Sequence, residues 1–306
     1  MRDKTLQDNT IIHGSCQDVA SLISGVDVVL TSPFYNTSTK SKIVPREKLG
    51  NANQRGRYDT IVDTYTREGY CDFMVELFDK MHDGLRDSAV VLFNISYSTG
   101  NTDGYMYAVS DIIRRTEYTL VDQISWKKPS CIPEISTPNR LSRIVEPIFV
   151  FCKRGFEKSF HCNKAEISQG TATHKCYAPL YNFVEAKGSQ KEKGVKRCPY
   201  NSATYSIELC EKLLSMYAPK GALVYDPFMG SGTTAVACKR MGLRWLGSEI
   251  SENQVKWAED RLNMIPTSTS VDRNFDDGSP IGQNKASINL SEQLDNLEQI
   301  LKPDAD

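Results

Sequence analysis

The sequence predicts an α/β protein with a doubly wound, mostly parallel sheet. Three observations predict it. Short, continuously apolar, β-branched runs such as VDVVL (26–30) and SAVVLFNIS (88–96) read as strands buried on both faces. Stretches with helical spacing separate them, the alternation that a sheet flanked by helices requires. The chain has 306 residues, 40% of them hydrophobic, which suffices for one large α/β domain or two smaller ones.

The elements follow in order. VDVVL is a strand. Residues 36–67 are long and polar. CDFMVELFDKMHDGL (71–85) places Phe73, Leu77, Met81 and Leu85 on one stripe and predicts a helix. SAVVLFNIS is a second strand, YMYAVSDIIRRT (105–116) a helix, and LVDQISW (120–126) and EPIFVFCK (146–153) are strands. Residues 154–200 break the rhythm; an irregular excursion of that length inside a domain is functional or disordered. The pattern resumes with SIELCEKLLSMYAP (206–219, helix), GALVYDPF (221–228, strand), GTTAVACKRMG (232–242, helix), RWLGSEI (244–250, strand) and SENQVKWAEDRLNM (251–264, helix). The last opens with Ser251 as N-cap and Gln254 three residues on, a capping box. A polar linker from about 266 to 285 precedes SINLSEQLDNLEQILK, where Leu290, Leu294, Leu297 and Leu301 form an apolar stripe. The expected organisation is 1–153, 154–197, 198–265 and a linker with C-terminal helix over 266–306.

No apolar run approaches the roughly 20 residues of a membrane helix, and MRDKTLQDNT has no apolar signal core. Nine cysteines without CxxC pairs read as reduced thiols, which points to a cytoplasmic protein. His161, Cys162, His174 and Cys176 cluster, but without the paired spacing of zinc sites, so no metal is expected. Net charge is −1, yet its distribution is uneven. Residues 36–58 carry Lys40, Lys42, Arg46, Lys48, Arg55 and Arg57 against Glu47 alone, and residues 151–200 carry ten Lys or Arg against four Glu. Such segments attract phosphate. The tail from 271 is acidic.

Two stretches carry chemistry. DVVLTSPFYN (27–36) ends a strand in Ser32-Pro33-Phe34-Tyr35, a rigid corner of a hydroxyl, a proline and two rings. LVYDPFMGSGTTAVACKRMG (223–242) ends a strand at Asp226 and opens a helix through Gly230, Gly232, Thr233 and Thr234. Glycines permit close approach of a ligand, and a helix N-terminus offers free N–H groups. Glu249 ends the next strand, where an acid accepts from ribose hydroxyls. The loop reads as a nucleoside-cofactor site. It fits the loose dinucleotide pattern, so a nicotinamide cofactor stays open here; a P-loop does not, because no GK(S/T) follows.

DPFMGSGTT resembles the S-adenosylmethionine motif of DNA amino-methyltransferases, usually DPFxGSGTT, and TSPFYN resembles their catalytic motif, (D/N/S)PP(Y/F/W). The catalytic motif precedes the cofactor motif, as in the β arrangement of that family. CPYNSATYSIELCEKLLSMYAPKGALVYDPF (198–228) resembles the segment before its cofactor motif, and EPIFVFCK matches a strand that often reads HEPIL.F.K. The resemblance covers about 10–265, interrupted by 154–196. Phe34 stands where the family usually has a second Pro, Cys198 replaces a His, Ser202 a Lys, and Ser15 the acid of a GD pair.

The resemblance implies a Rossmann-like class I methyltransferase fold with circularly permuted motif order and an inserted target-recognition region at 154–197. It implies S-adenosylmethionine as cofactor, held by Ser15, Tyr200, Asn201, Asp226, Pro227, Phe228, Gly230, Gly232, Thr233, Thr234 and Glu249. Ser32 and the Pro33 carbonyl would hold the amine of a flipped base, with Tyr35 and Phe34 stacking on it. Double-stranded DNA would lie on Lys40, Lys42, Arg46, Arg55, Arg57, Lys153, Arg154, Lys175, Lys196 and Arg197. Ser at the first catalytic position is typical of N4-cytosine enzymes; N6-adenine methylation and an inactive DNA-binding homologue are the alternatives. A cognate restriction endonuclease is an admissible partner, and the protein a monomer or homodimer.

Overall fold

Alternate residues of the central strands point to opposite faces, and three helices cover each face. The computed structural model describes residues 6–36, 65–97, 101–131, 133–135, 138–171, 174–188, 198–200 and 205–265. All lie within one compact unit, Met1–Arg273. The C-terminal helix expected at 287–302 falls outside them, as do Lys40, Lys42, Arg46, Arg55, Arg57, Lys196, Arg197 and Asn201.

The elements are β1 (Thr10–His13), α1 (Cys16–Ala20), β2 (Val26–Thr31), α2 (Arg67–Met81), β3 (Leu85–Asn94), α3 (Gly104–Arg115), β4 (Tyr118–Lys127), β5 (Val145–Lys153), β6 (Glu166–Thr171), β7 (His174–Tyr177), β8 (Phe183–Glu185), α4 (Ile207–Tyr217), β9 (Leu223–Asp226), α5 (Thr233–Met241), β10 (Arg244–Glu249) and α6 (Glu252–Asn263). Eight strands form one sheet in the order β1-β10-β9-β2-β3-β5-β4-β8. β5 alone runs antiparallel, folding back between β3 and β4; the other pairings are parallel. This is the doubly wound, mostly parallel sheet that the sequence predicts.

Val28, Leu30, Val90, Leu92, Ile148 and Val150 face α4, α5 and α6. Val29, Val91, Phe93, Phe149 and Phe151, one position along, face α1, α2 and α3. Burying each such side chain stabilises by roughly 1.5–3 kcal/mol, so both faces must be covered. From β9 the chain winds through α5 to β10 on one side; from β2 it winds through α2 to β3 on the other. The C-terminal ends of β9 and β2 therefore meet at the switch point where open α/β sheets bind ligands.

Several elements depart from expectation. β1 and α1 have only four and five residues, too short to show a period. α2 begins at Arg67, capped by Thr66, whose Oγ1 accepts from the Gly69 N–H at 3.1 Å. It ends at Met81, and a short 3-10 turn at His82–Gly84 leads into Leu85, the first residue of β3 rather than the last of the helical stripe.

The segment after β5 is woven into the same sheet. The Asn163 side-chain amide donates to the Ser215 and Ala218 carbonyls at 2.9 Å each, capping the end of α4. β8 extends the sheet edge beside β4, Val184 and Ala186 join the core, and the Trp126 indole donates to the Ala186 carbonyl at 2.9 Å. Only β6 and β7 pair apart, as a two-stranded hairpin.

Asn163→Ala removes the donor of two terminal carbonyls that water can partly replace. It should lower unfolding free energy by about 1 kcal/mol in a urea titration and leave DNA affinity unchanged.

Candidate active site

The catalytic corner and the glycine bend meet through one buried contact. Thr31, the last residue of β2, donates its hydroxyl to Asp226 Oδ1 at 2.7 Å across 195 positions of sequence. Asp226 is 1% exposed. Its carboxylate also accepts from the Phe228 N–H at 3.0 Å, the Thr234 hydroxyl at 2.6 Å and the Tyr205 hydroxyl at 3.0 Å. Burial pushes its pKa up, and the four donors pull against that shift. An anion in this setting is held by hydrogen bonds alone, so each donor matters.

Asp226 and Thr234, both expected at the cofactor, face each other inside the fold, and Thr234 is 0% exposed. They position β2, β9 and α5. Thr233 is also buried, and its hydroxyl accepts from the Arg261 guanidinium at 3.4 Å.

The cleft opens beside this hub. Ser15, Phe34, Tyr65, Phe73, Phe228 and Glu249 line it, with Pro227 at its edge. Glu249, 6% exposed, accepts from the Gly230 N–H through Oε2 at 2.8 Å and from the Ser251 N–H through Oε1 at 2.9 Å. Gly230 and Gly232 have φ of +54° and +79°, the left-handed region that favours glycine. A Cβ on Gly232 would lie 2.7 Å from the Ala258 Cβ, so glycine is also what lets α5 start against α6. Ser15 caps α1, its Oγ accepting from the Gln17 N–H at 3.2 Å. Cys16 lines the cleft, but burial pushes its thiol up to about 12, so no thiolate stands there at neutral pH. Tyr200 is half-buried and lies outside this lining.

Phe34 is 3% exposed. Its ring stacks on Tyr65 at 5.5 Å and meets Tyr70, Phe73 and Phe228 edge-on. Tyr70 donates to its carbonyl at 2.5 Å. Phe34 is thus packed among four rings in the wall of the cleft.

The corner itself holds a polarised chain of hydroxyls. The Tyr35 hydroxyl donates toward Asn94 Oδ1 at 3.2 Å and Glu146 Oε2 at 3.3 Å. The Asn94 amide nitrogen donates to the Pro147 carbonyl at 3.1 Å, which fixes Oδ1 as the acceptor. With its proton committed, Tyr35 can only accept from Ser32 Oγ, 3.3 Å away. Ser32 therefore donates inward and turns its lone pairs outward. No described residue donates to the Pro33 carbonyl. Two acceptors stand together at the end of β2. Lys128 pairs with Glu146 and lies over the Trp126 ring at 4.7 Å. Sequence reading missed Asn94, Lys128 and Glu146.

A family model described as DNA methylase, for N6- and N4-directed enzymes, matches residues 26–260. The chain belongs to that family. It is an S-adenosylmethionine-dependent DNA amino-methyltransferase. It is similar to the type II methyltransferase M.SmaI of Serratia marcescens, 25% identical over 85% of this chain and 92% of that one. It is also similar to the orphan methyltransferase M.BamHII of Bacillus amyloliquefaciens, 35% identical over 65% of this chain and 84% of that one. Among solved structures, PvuII DNA methyltransferase (cytosine-N4-specific) shares the fold with a TM-score of 0.61 at 16% identity, over 87% of this chain and 89% of that one. The M1.HpyAVI–S-adenosylmethionine complex does so at 0.50 and 18%, over 82% and 98%.

Lys153 ends the antiparallel β5 and Arg154 follows it, so both sit at the end of the sheet opposite the corner. Lys153 is 8% exposed and donates to the Leu85 carbonyl at 2.7 Å; Arg154 donates to the Ile113, Thr116 and Tyr118 carbonyls. Lys175 is exposed on β7 and pairs with Glu166 at 2.9 Å. Among the described residues no group of three or more His, Cys, Asp or Glu could hold a metal, and no helix is long and apolar enough to cross a membrane.

Asp226→Asn keeps the volume but turns one acceptor oxygen into a donor facing donors. Unfolding free energy should fall by about 2–3 kcal/mol, read from the shift of a urea midpoint at unchanged slope.

Proposed function

We propose that the methylase transfers a methyl group to the exocyclic N4 amine of a cytosine flipped out of double-stranded DNA. The observation that carries this reading is Ser32. A neutral hydroxyl, its proton held by Tyr35, stands beside the Pro33 carbonyl at a corner that the Thr31–Asp226 bond ties to the cofactor cleft.

The cleft fits the cofactor. Its aromatic lining suits a flat purine, and Glu249 stands in that lining at the strand end where an acid takes ribose hydroxyls. Pro227, Phe228, Gly230, Gly232 and Glu249 would hold it, with Ser15 at the opposite lip. When bound, S-adenosylmethionine supplies an electrophilic sulfonium methyl.

An exocyclic amine is a weak nucleophile because its lone pair is delocalised into the ring. Ser32 Oγ and the Pro33 carbonyl accept its two N–H groups and hold them so that the lone pair localises. Pro33 fixes the backbone torsion that aims its carbonyl, and Tyr35, anchored through Asn94 and Glu146, fixes Ser32. The enzyme contributes positioning and electrostatics rather than a covalent nucleophile. The exposed face of Tyr35 stacks on the base; stacking is worth roughly 1–3 kcal/mol, comparable to the few kcal/mol of unstacking. Target recognition is assigned to 154–197, the region that includes β6, β7, β8, Lys196 and Arg197. β8 runs parallel to β4, and Glu185 pairs with Lys127 at the end of β4 nearest the corner. Lys40, Lys42, Arg46, Arg55 and Arg57, which follow the corner in sequence, would contact the phosphates beside it.

Incubation with plasmid and labelled S-adenosylmethionine, followed by digestion to nucleosides, should yield N4-methylcytosine; N6-methyladenine would overturn the assignment of the base. Ser32→Ala should lower kcat by about 10²–10³-fold while the dissociation constant for S-adenosylmethionine, measured by calorimetry, stays unchanged.

A further inference from the structure

The connection between β4 and β5 rises at the active-site end of the sheet. Its arms start paired, the Lys128 N–H donating to the Ile144 carbonyl at 2.8 Å. They close again further out, where the Glu134 N–H donates to Ser142 Oγ at 2.9 Å. One residue beyond this bridge, one on each arm, stand Ile135 and Leu141. Each is 90% exposed, more than any other large hydrophobic residue described. Scattered apolar side chains on a surface need no explanation, but these two flank one bridge on one loop. Pro129, Pro133 and Pro138 stiffen the arms.

The loop is tied to the catalytic corner at its base. Glu146 at the start of β5 binds the Tyr35 hydroxyl and Lys128. Arg143 donates to the Tyr97 carbonyl and lies over the Tyr97 ring at 5.0 Å. Residues 127–143 carry Lys127, Lys128, Arg140 and Arg143 against Glu134 alone, a charge that suits a polyanion.

We propose that Ile135 and Leu141 form an apolar wedge that enters the DNA stack as the target base leaves it. This rests on the base-flipping reading above. A flipped base leaves a gap between two base-pair faces that water fills poorly. Aliphatic side chains fill such gaps and stack against the flanking bases without needing hydrogen-bond partners. A wedge without donors or acceptors cannot read the orphaned partner base, so its contribution is independent of that base. It acts on extrusion and leaves the chemistry at Ser32 untouched.

The test uses the full chain and a duplex carrying the site mapped by wild-type methylation of a plasmid; that mapping tests the methylation reading separately. A second duplex carries the target base opposite an abasic position, so it is already unpaired. Ile135→Ala/Leu141→Ala should lose at least about 10-fold in kcat/KM on the paired duplex and less than about 3-fold on the unpaired one. Its melting temperature and sedimentation coefficient should match wild type. Equal losses on both duplexes, or none on either, would overturn the wedge. So would a lowered melting temperature, which would place the pair in the fold, or a changed sedimentation coefficient, which would make the patch a contact between copies.

Discussion

The hydrogen bond from Thr31 to Asp226 is the contact on which the molecule's chemistry depends. It joins the last residue of one strand to the last residue of its neighbour, and those two residues open the two working loops. Ser32 follows the first, and the glycine bend follows the second. Because Asp226 also binds Tyr205, Thr234 and the Phe228 N–H, both loops and the start of α5 are set by one carboxylate. The arrangement is strong only if complete. A buried acid with four donors is stable; with three it leaves a carboxylate lone pair without water or partner.

A second chain of polar groups orients the reacting side. It runs from Ser32 through Tyr35 to Asn94 and Glu146, ending at Lys128. Its members come from the ends of β2, β3, β4 and β5, so the sheet order itself brings them together. The antiparallel course of β5 matters here, because it places the first residues of that strand, including Glu146, beside the last residues of the parallel ones. The same reversal carries Lys153 and Arg154 to the far end of the sheet, where they tie backbone carbonyls.

Much of the sheet was legible because strands buried on both faces read as unbroken apolar runs, as VDVVL and EPIFVFCK do. The two loops were legible because Ser-Pro-aromatic and Gly-x-Gly have few uses at a strand end. β1 was not, since TIIH is too short to show a period. Nor could the sequence say which way Asp226 faces: its donors come from position 31, from position 205 and from the next turn. The Asn94 and Glu146 contacts to Tyr35 span 59 and 111 positions and leave no local trace. Phe34 showed its chemistry but not its neighbours, and burial among four rings decides what it does. For Lys153 and Arg154 the charge was visible and the strand direction was not.

The permuted order has a consequence for synthesis on the ribosome. β2 lies between β3 and β9, yet β9 is made about 195 residues after Thr31. At roughly 5–20 residues per second, that interval lasts on the order of 10–40 s. Throughout it, the valine-rich edge of β2 has no partner on one side and the Thr31 hydroxyl has no acceptor. Nascent chains of this protein thus present an open, sticky strand edge until the glycine bend emerges, and chaperone demand should be set by the second half of translation rather than by the first.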